Sequence, residues 1–300
     1  MLAAFCCTLL FACSAITGRR LSHLVPGTQA NLTRLLIAAT LLGLWSHFFG
    51  SGLHGPAFPF LFASGCVGFG IGDLALFQTY PRLGTRRAMV MVQCLAAPFA
   101  ALAEWVWLNH SPTLPQAGFG LLVLTGVGLA LMPTKNEPQP GTGLAAGFFF
   151  GTISALCQGG GAVLSRKGYA VAAAAGAPLH GLRDGINAAY QRMVGGILIS
   201  AAFFLYLKLA HRPQAASKSN WAAGWPWAAA NGMLGPAFGV TCFQWALMSS
   251  PTNLVLPIVA TTPLVVLPLA HFIEGDRITR RAILGGLIAV GGVIGLTLSK

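Results

Sequence analysis

Residues Leu254–Thr297 read LVLPIVATTPLVVLPLAHFIEGDRITRRAILGGLIAVGGVIGLT. A proline-punctuated apolar run, Leu254–Ile273, meets a charged turn, Glu274–Arg281, and a glycine-rich apolar run, Ile283–Leu298, follows. A helix needs about 20 residues to cross the hydrocarbon core of a bilayer, and both runs reach or approach that length. Neither shows the strict alternation of a membrane barrel strand, and lipid tolerates only a helix otherwise. The stretch therefore reads as two membrane helices joined by a short polar turn.

The same pattern extends over the chain. Apolar runs fall at Leu2–Ile16, Leu32–Phe49, Phe60–Tyr80, Ala88–Leu108, Leu114–Met132, Gly143–Leu164, Met193–Leu209 and Trp225–Met248, ahead of the two quoted. The expected fold is an all-α polytopic membrane protein of about ten transmembrane helices. Two connections are longer: Pro133–Thr142, rich in Pro and Gly, and Ser165–Arg192, with an Ala-rich patch and Arg183-Asp184. The first follows five runs and divides the chain into residues 1–135 and 136–300. An odd number of helices per half sets two related halves in opposite orientations, a common transporter plan with the substrate site at the repeat interface.

Internal similarity is faint at the level of identities. A shift of 170 residues matches Gly65 to Gly235, Pro98 to Pro268 and Glu104 to Glu274. The shared layout is clearer. Basic residues follow the first helix of each half (Arg19-Arg20; Arg166-Lys167), an arginine lies near the start of the next (Arg34; Arg192), and each half closes on a Gly-rich helix.

Composition agrees. Hydrophobic residues make up 55% of the chain and charged residues 8%, against roughly 25% charged in ordinary globular domains. The net charge of +12 comes from Lys and Arg lying mostly between apolar runs, which fits interfacial anchoring rather than nucleic-acid binding. Cys6, Cys7, Cys13, Cys66, Cys94, Cys157 and Cys242 sit within apolar runs, without CxxC pairing or histidines at ligand spacing, and read as small buried hydrophobes. No metal or cofactor motif is visible, and no nucleophile–base pair marks an enzyme. Met1–Ile16 lacks a preceding basic region, so it reads as a first membrane helix rather than a signal peptide.

Within the runs, Asp73 is the sharpest candidate for chemistry. It lies in GFGIGDLALF, where an ionisable group is expensive and faces a cavity or a partner. Gly68, Gly70 and Gly72 precede it and admit a close neighbour. Two readings are open: a carboxylate that couples protons or meets a substrate amine, and a structural carboxylate paired with arginine. Gln93, Gln158, Gln244 and Asn231 can each donate and accept, either toward a polar solute or across helices. Gly159-Gly160-Gly161 beside Gln158 weaken a helix or pack one closely. Arg34 and Arg192 either snorkel to the interface or attract an anion into a pathway.

These features together resemble EamA-type members of the drug/metabolite transporter superfamily. The resemblance spans nearly the whole chain and is densest at the close. Pro263, Gly275, Asp276, Arg277 and Thr279 match its Pro-bearing helix and Gly-Glu-Arg-Leu-Thr-like turn, with Asp276 in place of Glu, and Gly286 and Gly292 match its last helix. Arg34 and Arg192 match the arginine that such proteins place early in the second helix of each half. In the first half Asn109-His110-Ser111 stands at the equivalent turn and Gln93 at the helix proline. The resemblance implies ten helices around a central cavity, with the fifth and tenth peripheral. It also implies transport of amino acids, sugars, nucleotide-related metabolites or organic solutes, by exchange or proton coupling.

The expected function is therefore secondary transport of a small metabolite by a multi-pass protein of the cell (inner) membrane. Its partners are a small-molecule substrate, the lipid bilayer and, with coupling, a proton. Two alternatives stand beside it: a membrane enzyme acting on a lipid-linked substrate, hinted at by His180, Arg183 and Asp184, and a membrane assembly or sensor protein. Orientation is contested. Arg19, Arg20, Arg82, Arg86, Arg87, Lys135, Lys208, Arg212, Lys218, Arg277, Arg280 and Arg281 fall on one side, against Arg166, Lys167, Arg183 and Lys300 on the other. The positive-inside rule then places both termini outside, whereas the family resemblance places them inside.

Overall fold

The computed structural model describes residues 2–108, 113–131, 143–177, 181–210, 219–249, 255, 258–274 and 279–299. These residues are helical almost throughout, and no strand occurs among them. The helices are α1 (Leu2–Leu24), α2 (Gly27–Phe49), α3 (residues 58–83), α4 (residues 85–108) and α5 (Leu114–Leu131). They continue as α6 (Leu144–Ala174), α7 (Leu182–Leu209), α8 (residues 221–249), α9 (Thr262–Glu274) and α10 (Arg280–Leu298).

The exterior is apolar. Phe5, Leu44, Phe48, Leu121, Phe149, Leu198 and Leu287 point outward, as expected where the surrounding solvent is lipid. The chain is a multi-pass integral membrane protein. Five helical stretches are long and apolar enough to span, residues 2–24, 27–49, 58–100 (which Gly84 divides between α3 and α4), 144–174 and 182–209, and shorter apolar helices cover 114–130 and 258–273. Inside, small residues let the helices approach. Gly65 on α3 lies against the Arg192 backbone of α7, and Gly195 of α7 lies against Phe62 and Cys66 of α3, leaving no room for a Cβ at either. Gly126 of α5 and Gly285 of α10 repeat this device, so the fifth and tenth helices pair with each other.

Three expectations about connections need correction. Helix α1 runs on to Leu24, so Arg19 and Arg20 are helical rather than loop residues. The connection expected over Ser165–Arg192 is too long, because α6 continues to Ala174 and α7 begins at Leu182. Alanine and basic residues are good helix formers, and long basic side chains reach water from within a helix. The loop expected after the third run reduces to a break at Gly84, whose φ of +77° suits glycine alone among common residues.

Helix starts use local caps. The Asn220 side chain accepts from the Ala223 N–H at 3.1 Å and Thr279 from the Ala282 N–H at 3.2 Å. Thr279 thus acts as the N-cap of α10. Gly275, Asp276 and Arg277, the Asn109-His110-Ser111 turn, Lys135, Arg212, Lys218, Lys300, His180 and the boundary between residues 135 and 136 lie outside the described residues.

Candidate functional site

The backbone features that shape the interior are three π-helical turns. They span Cys66–Gly72 in α3, Val90–Cys94 in α4 and Met233–Gly239 in α8. Such turns are rare and tend to mark functional sites, because the extra residue per turn bulges the helix. The glycines of the first turn each admit a different neighbour. Gly70 faces Ile199 of α7, Gly72 faces Cys157 of α6, and Gly68 faces the Arg192 guanidinium.

Around these turns lies a central cavity of about 70 Å³, well below the ~300 Å³ of an open ligand pocket. Its walls include Ser14 of α1, Arg34 of α2, Asp73 of α3 and Gln93 of α4. Ser154 and Gln158 of α6, Arg192 of α7, and Asn231 and Val240 of α8 also belong to the lining. Six candidates scattered between residues 34 and 231 are thereby brought together: Asp73, Gln93, Gln158, Asn231, Arg34 and Arg192. Gln244 stands apart from the lining. It is fully buried, and its carbonyl accepts from the Tyr169 hydroxyl.

Arg34 is 5% exposed, seven residues inside α2 rather than snorkelling to an interface. Its Nη2 donates to the Asp73 carboxylate in an ion pair. Its Nε donates to Asn31 Oδ1 at 3.0 Å, and its guanidinium lies 5.0 Å from the Phe77 ring centroid. Asn31 is held in turn, donating to the Phe69 carbonyl at 3.0 Å and to Ser200 Oγ at 2.9 Å. Both readings of Asp73 meet here, a structural partner for arginine and a carboxylate lining a cavity.

Arg192 is 4% exposed and lies ten residues after the start of α7, roughly 15 Å along the axis at helical rise. Its guanidinium sits 4.8 Å from the Phe69 ring centroid. Its Nε is buried without a hydrogen-bond partner. Among the described residues no carboxylate forms a hydrogen-bonded ion pair with it; Asp73, bound to Arg34, acts on it only through space.

The amides divide by role. Asn231 Nδ2 donates to the Ser14 carbonyl at 2.6 Å and lies 3.0 Å from Ser14 Oγ and 3.1 Å from Thr17 Oγ1, clasping α8 to α1. Its Oδ1 is buried without a partner. Gln93 and Gln158 line both the central cavity and a smaller apolar pocket beside Ala96, Ala100 and Val259. The glycine triplet next to Gln158 leaves α6 unbroken. Gly159 packs on the α4 backbone at Ala96 and Ala100, and the Gly161 carbonyl accepts from Ser64 Oγ at 2.6 Å.

Asn31, Ser14 and Phe69 escaped the sequence reading. Each is ordinary in composition and matters only through what tertiary packing sets beside it. Two of the family-motif residues lie at helix contacts. Gly286 faces Leu264 of α9, and Gly292 packs on the backbone of Phe119 and Val123 in α5. No group of three or more His, Cys, Asp or Glu placed to hold a metal ion occurs among the described residues.

No curated protein matches the sequence. Among solved structures, one titled "Crystal structure of protein" superposes with a TM-score of 0.66 at 16% identity, covering 99% of this chain and 96% of that chain. At that identity the likeness concerns the fold alone. The model of the EamA-like transporter family matches residues 1–132 and 143–298. With both stretches matched and a polar, charge-lined cavity inside an apolar helical shell, the chain belongs to the EamA-like transporter family.

Proposed function

We propose that this protein is a secondary transporter of the cell membrane that carries a small polar or amphipathic metabolite by alternating access. The observation that carries this reading is the central cavity, whose charged and amide walls come from helices on both sides of the boundary at residues 135 and 136. Such groups are costly inside a membrane, and a solute pathway accounts for their gathering at one place. Residues 1–135 and 136–300 act as inverted repeats that rock against each other about this cavity. The two stretches matched by the family support that division. Asp73 couples the cycle to protons: its protonation releases Arg34, and the freed guanidinium changes the cavity wall.

The test is uptake by purified protein in liposomes. The vesicles are offered amino acids, sugars, nucleosides, organic acids and cationic organics, with and without a pH gradient, and read by mass spectrometry. Protein-dependent accumulation of one class is the expected result, increased by the gradient. Folded protein that accumulates none of them would sink the transport reading, and accumulation indifferent to the gradient would sink the coupling.

A further inference from the structure

Arg34 and Arg192 occupy matching environments with unmatched charge. A methyl group built on Gly235 would come within 3.6 Å of Arg34 Nη1, and one built on Gly68 within 3.2 Å of Arg192 Nη2. Those glycines hold the same place in two seven-residue π-helical turns, Cys66–Gly72 and Met233–Gly239. The register between the turns is 167 residues, not the shift of 170 suggested by identities. In that register Asp73, directly after the first turn, corresponds to Val240, directly after the second. Asp73 pairs directly with Arg34 and acts on Arg192 only through space, whereas the corresponding position after the second turn, Val240, carries an isopropyl group.

The charged side chains on the cavity wall are thus Arg34, Asp73 and Arg192, and they sum to one positive charge. A buried charge without a counter-charge is strongly disfavoured, so the cavity is built to receive one. We infer that Arg192 is the anchor for a single oxyanion on the carried solute, a carboxylate or a phosphate ester. This rests on the transport reading above and names the substrate class for it. The planar guanidinium suits two-pronged recognition of such groups. Phe69 holds it by one face and its buried Nε has no other acceptor. Gln93 of α4 and Ser154 and Gln158 of α6, which share the cavity lining, then meet the neutral, polar body of the solute.

The experiment uses purified protein in phosphatidylcholine nanodiscs and follows its melting temperature. The probes are inorganic phosphate, glycerol phosphate and short mono- and dicarboxylates, each carboxylate or ester set against its uncharged amide or alcohol. The expected result is stabilisation by at least one anion and none by its uncharged counterpart. Apparent affinity falls at least tenfold in Arg192→Gln, recovers in part in Arg192→Lys, and is lost in Val240→Asp, which installs the missing carboxylate. Equal response to charged and uncharged probes in the unmodified protein overturns the inference, as does unchanged affinity in Arg192→Gln. Stabilisation by added phosphatidylglycerol with no response to the soluble anions assigns the site to a lipid headgroup and overturns the solute. Liposome uptake is run in parallel. Anion-specific stabilisation without any flux counts against transport alone, and flux of neutral or cationic solutes unaffected by Arg192→Gln counts against the anion anchor alone.

Discussion

The Arg34 guanidinium donates to the Asp73 carboxylate across the contact between α2 and α3, with both side chains largely withdrawn from solvent. A buried pair of this kind contributes little net stability compared with apolar residues, but removing one partner strands the other.

Asp73→Asn is therefore expected to destabilise the protein by about 3–5 kcal/mol, because Arg34 keeps its charge and loses its counter-charge. Adding Arg34→Gln to that variant recovers part of the loss. Thermal unfolding of the two single variants and the double in one detergent measures the coupling. Additive losses would contradict a direct pair. If Asp73 also couples protons, Asn at this position removes the response of uptake to a pH gradient.

Two glycines should respond in opposite ways to a single methyl group. At Gly65 a Cβ collides with the Arg192 backbone, whereas at Gly160 nothing lies within 4 Å. Gly65→Ala is expected to cost about 1–3 kcal/mol or more, since neither helix backbone can yield. Gly160→Ala is expected to gain up to about 1 kcal/mol through helix propensity. Melting temperatures in detergent check both, and a neutral Gly65→Ala would refute the close crossing of α3 and α7.

Asn231 holds α8 to α1 through Ser14 and Thr17. Interhelical hydrogen bonds in membrane proteins average about 0.6 kcal/mol and reach about 1.7. Asn231→Ala is expected at or above the upper end of that range, because it also empties space beside Tyr80 at Gly18. A double-mutant cycle with Ser14→Ala should recover a coupling. Independent effects would show that the Ser14 carbonyl and Thr17 carry the clasp without the Ser14 hydroxyl.

Orientation has a direct test. By the course of the helices, Arg82, Lys208, Arg280 and Arg281 share one end of the bundle, where Arg20 donates to the Ile273 carbonyl at 2.7 Å. Arg166, Lys167 and Arg183 lie toward the other end. The positive-inside rule places the first end in the cytoplasm. In a cysteine-free background, Arg183→Cys is expected to react with an impermeant maleimide on intact cells and Lys208→Cys only after lysis. The reverse labelling would uphold the orientation implied by family resemblance.

What the sequence by itself determined is the class of fold. Runs such as Leu32–Phe49 and Leu114–Met132 are too apolar for water, and in lipid the backbone must satisfy its own hydrogen bonds, which leaves helices. The same argument made Asp73 conspicuous, since a carboxylate within such a run needs a reason. The chain also revealed the family through its closing turn and last helix. Hydropathy misplaced segment ends at Arg19, Arg166 and Arg192, because basic side chains lower a run's hydropathy without ending its helix.

Tertiary structure alone decided which polar residues belong together. Gln244 looked as promising as Gln93, yet its carbonyl goes to Tyr169 while Gln93 faces the cavity. Nothing in residue type or spacing separates them, because the π-helical turns of α3, α4 and α8 change which side chains point inward. The pairing of Arg34 with Asp73, and the absence of any hydrogen-bonded carboxylate pair for Arg192 among the described residues, depend likewise on how α2, α3 and α7 cross. Those crossings are set by glycine contacts between distant segments, and a local sequence pattern does not encode them.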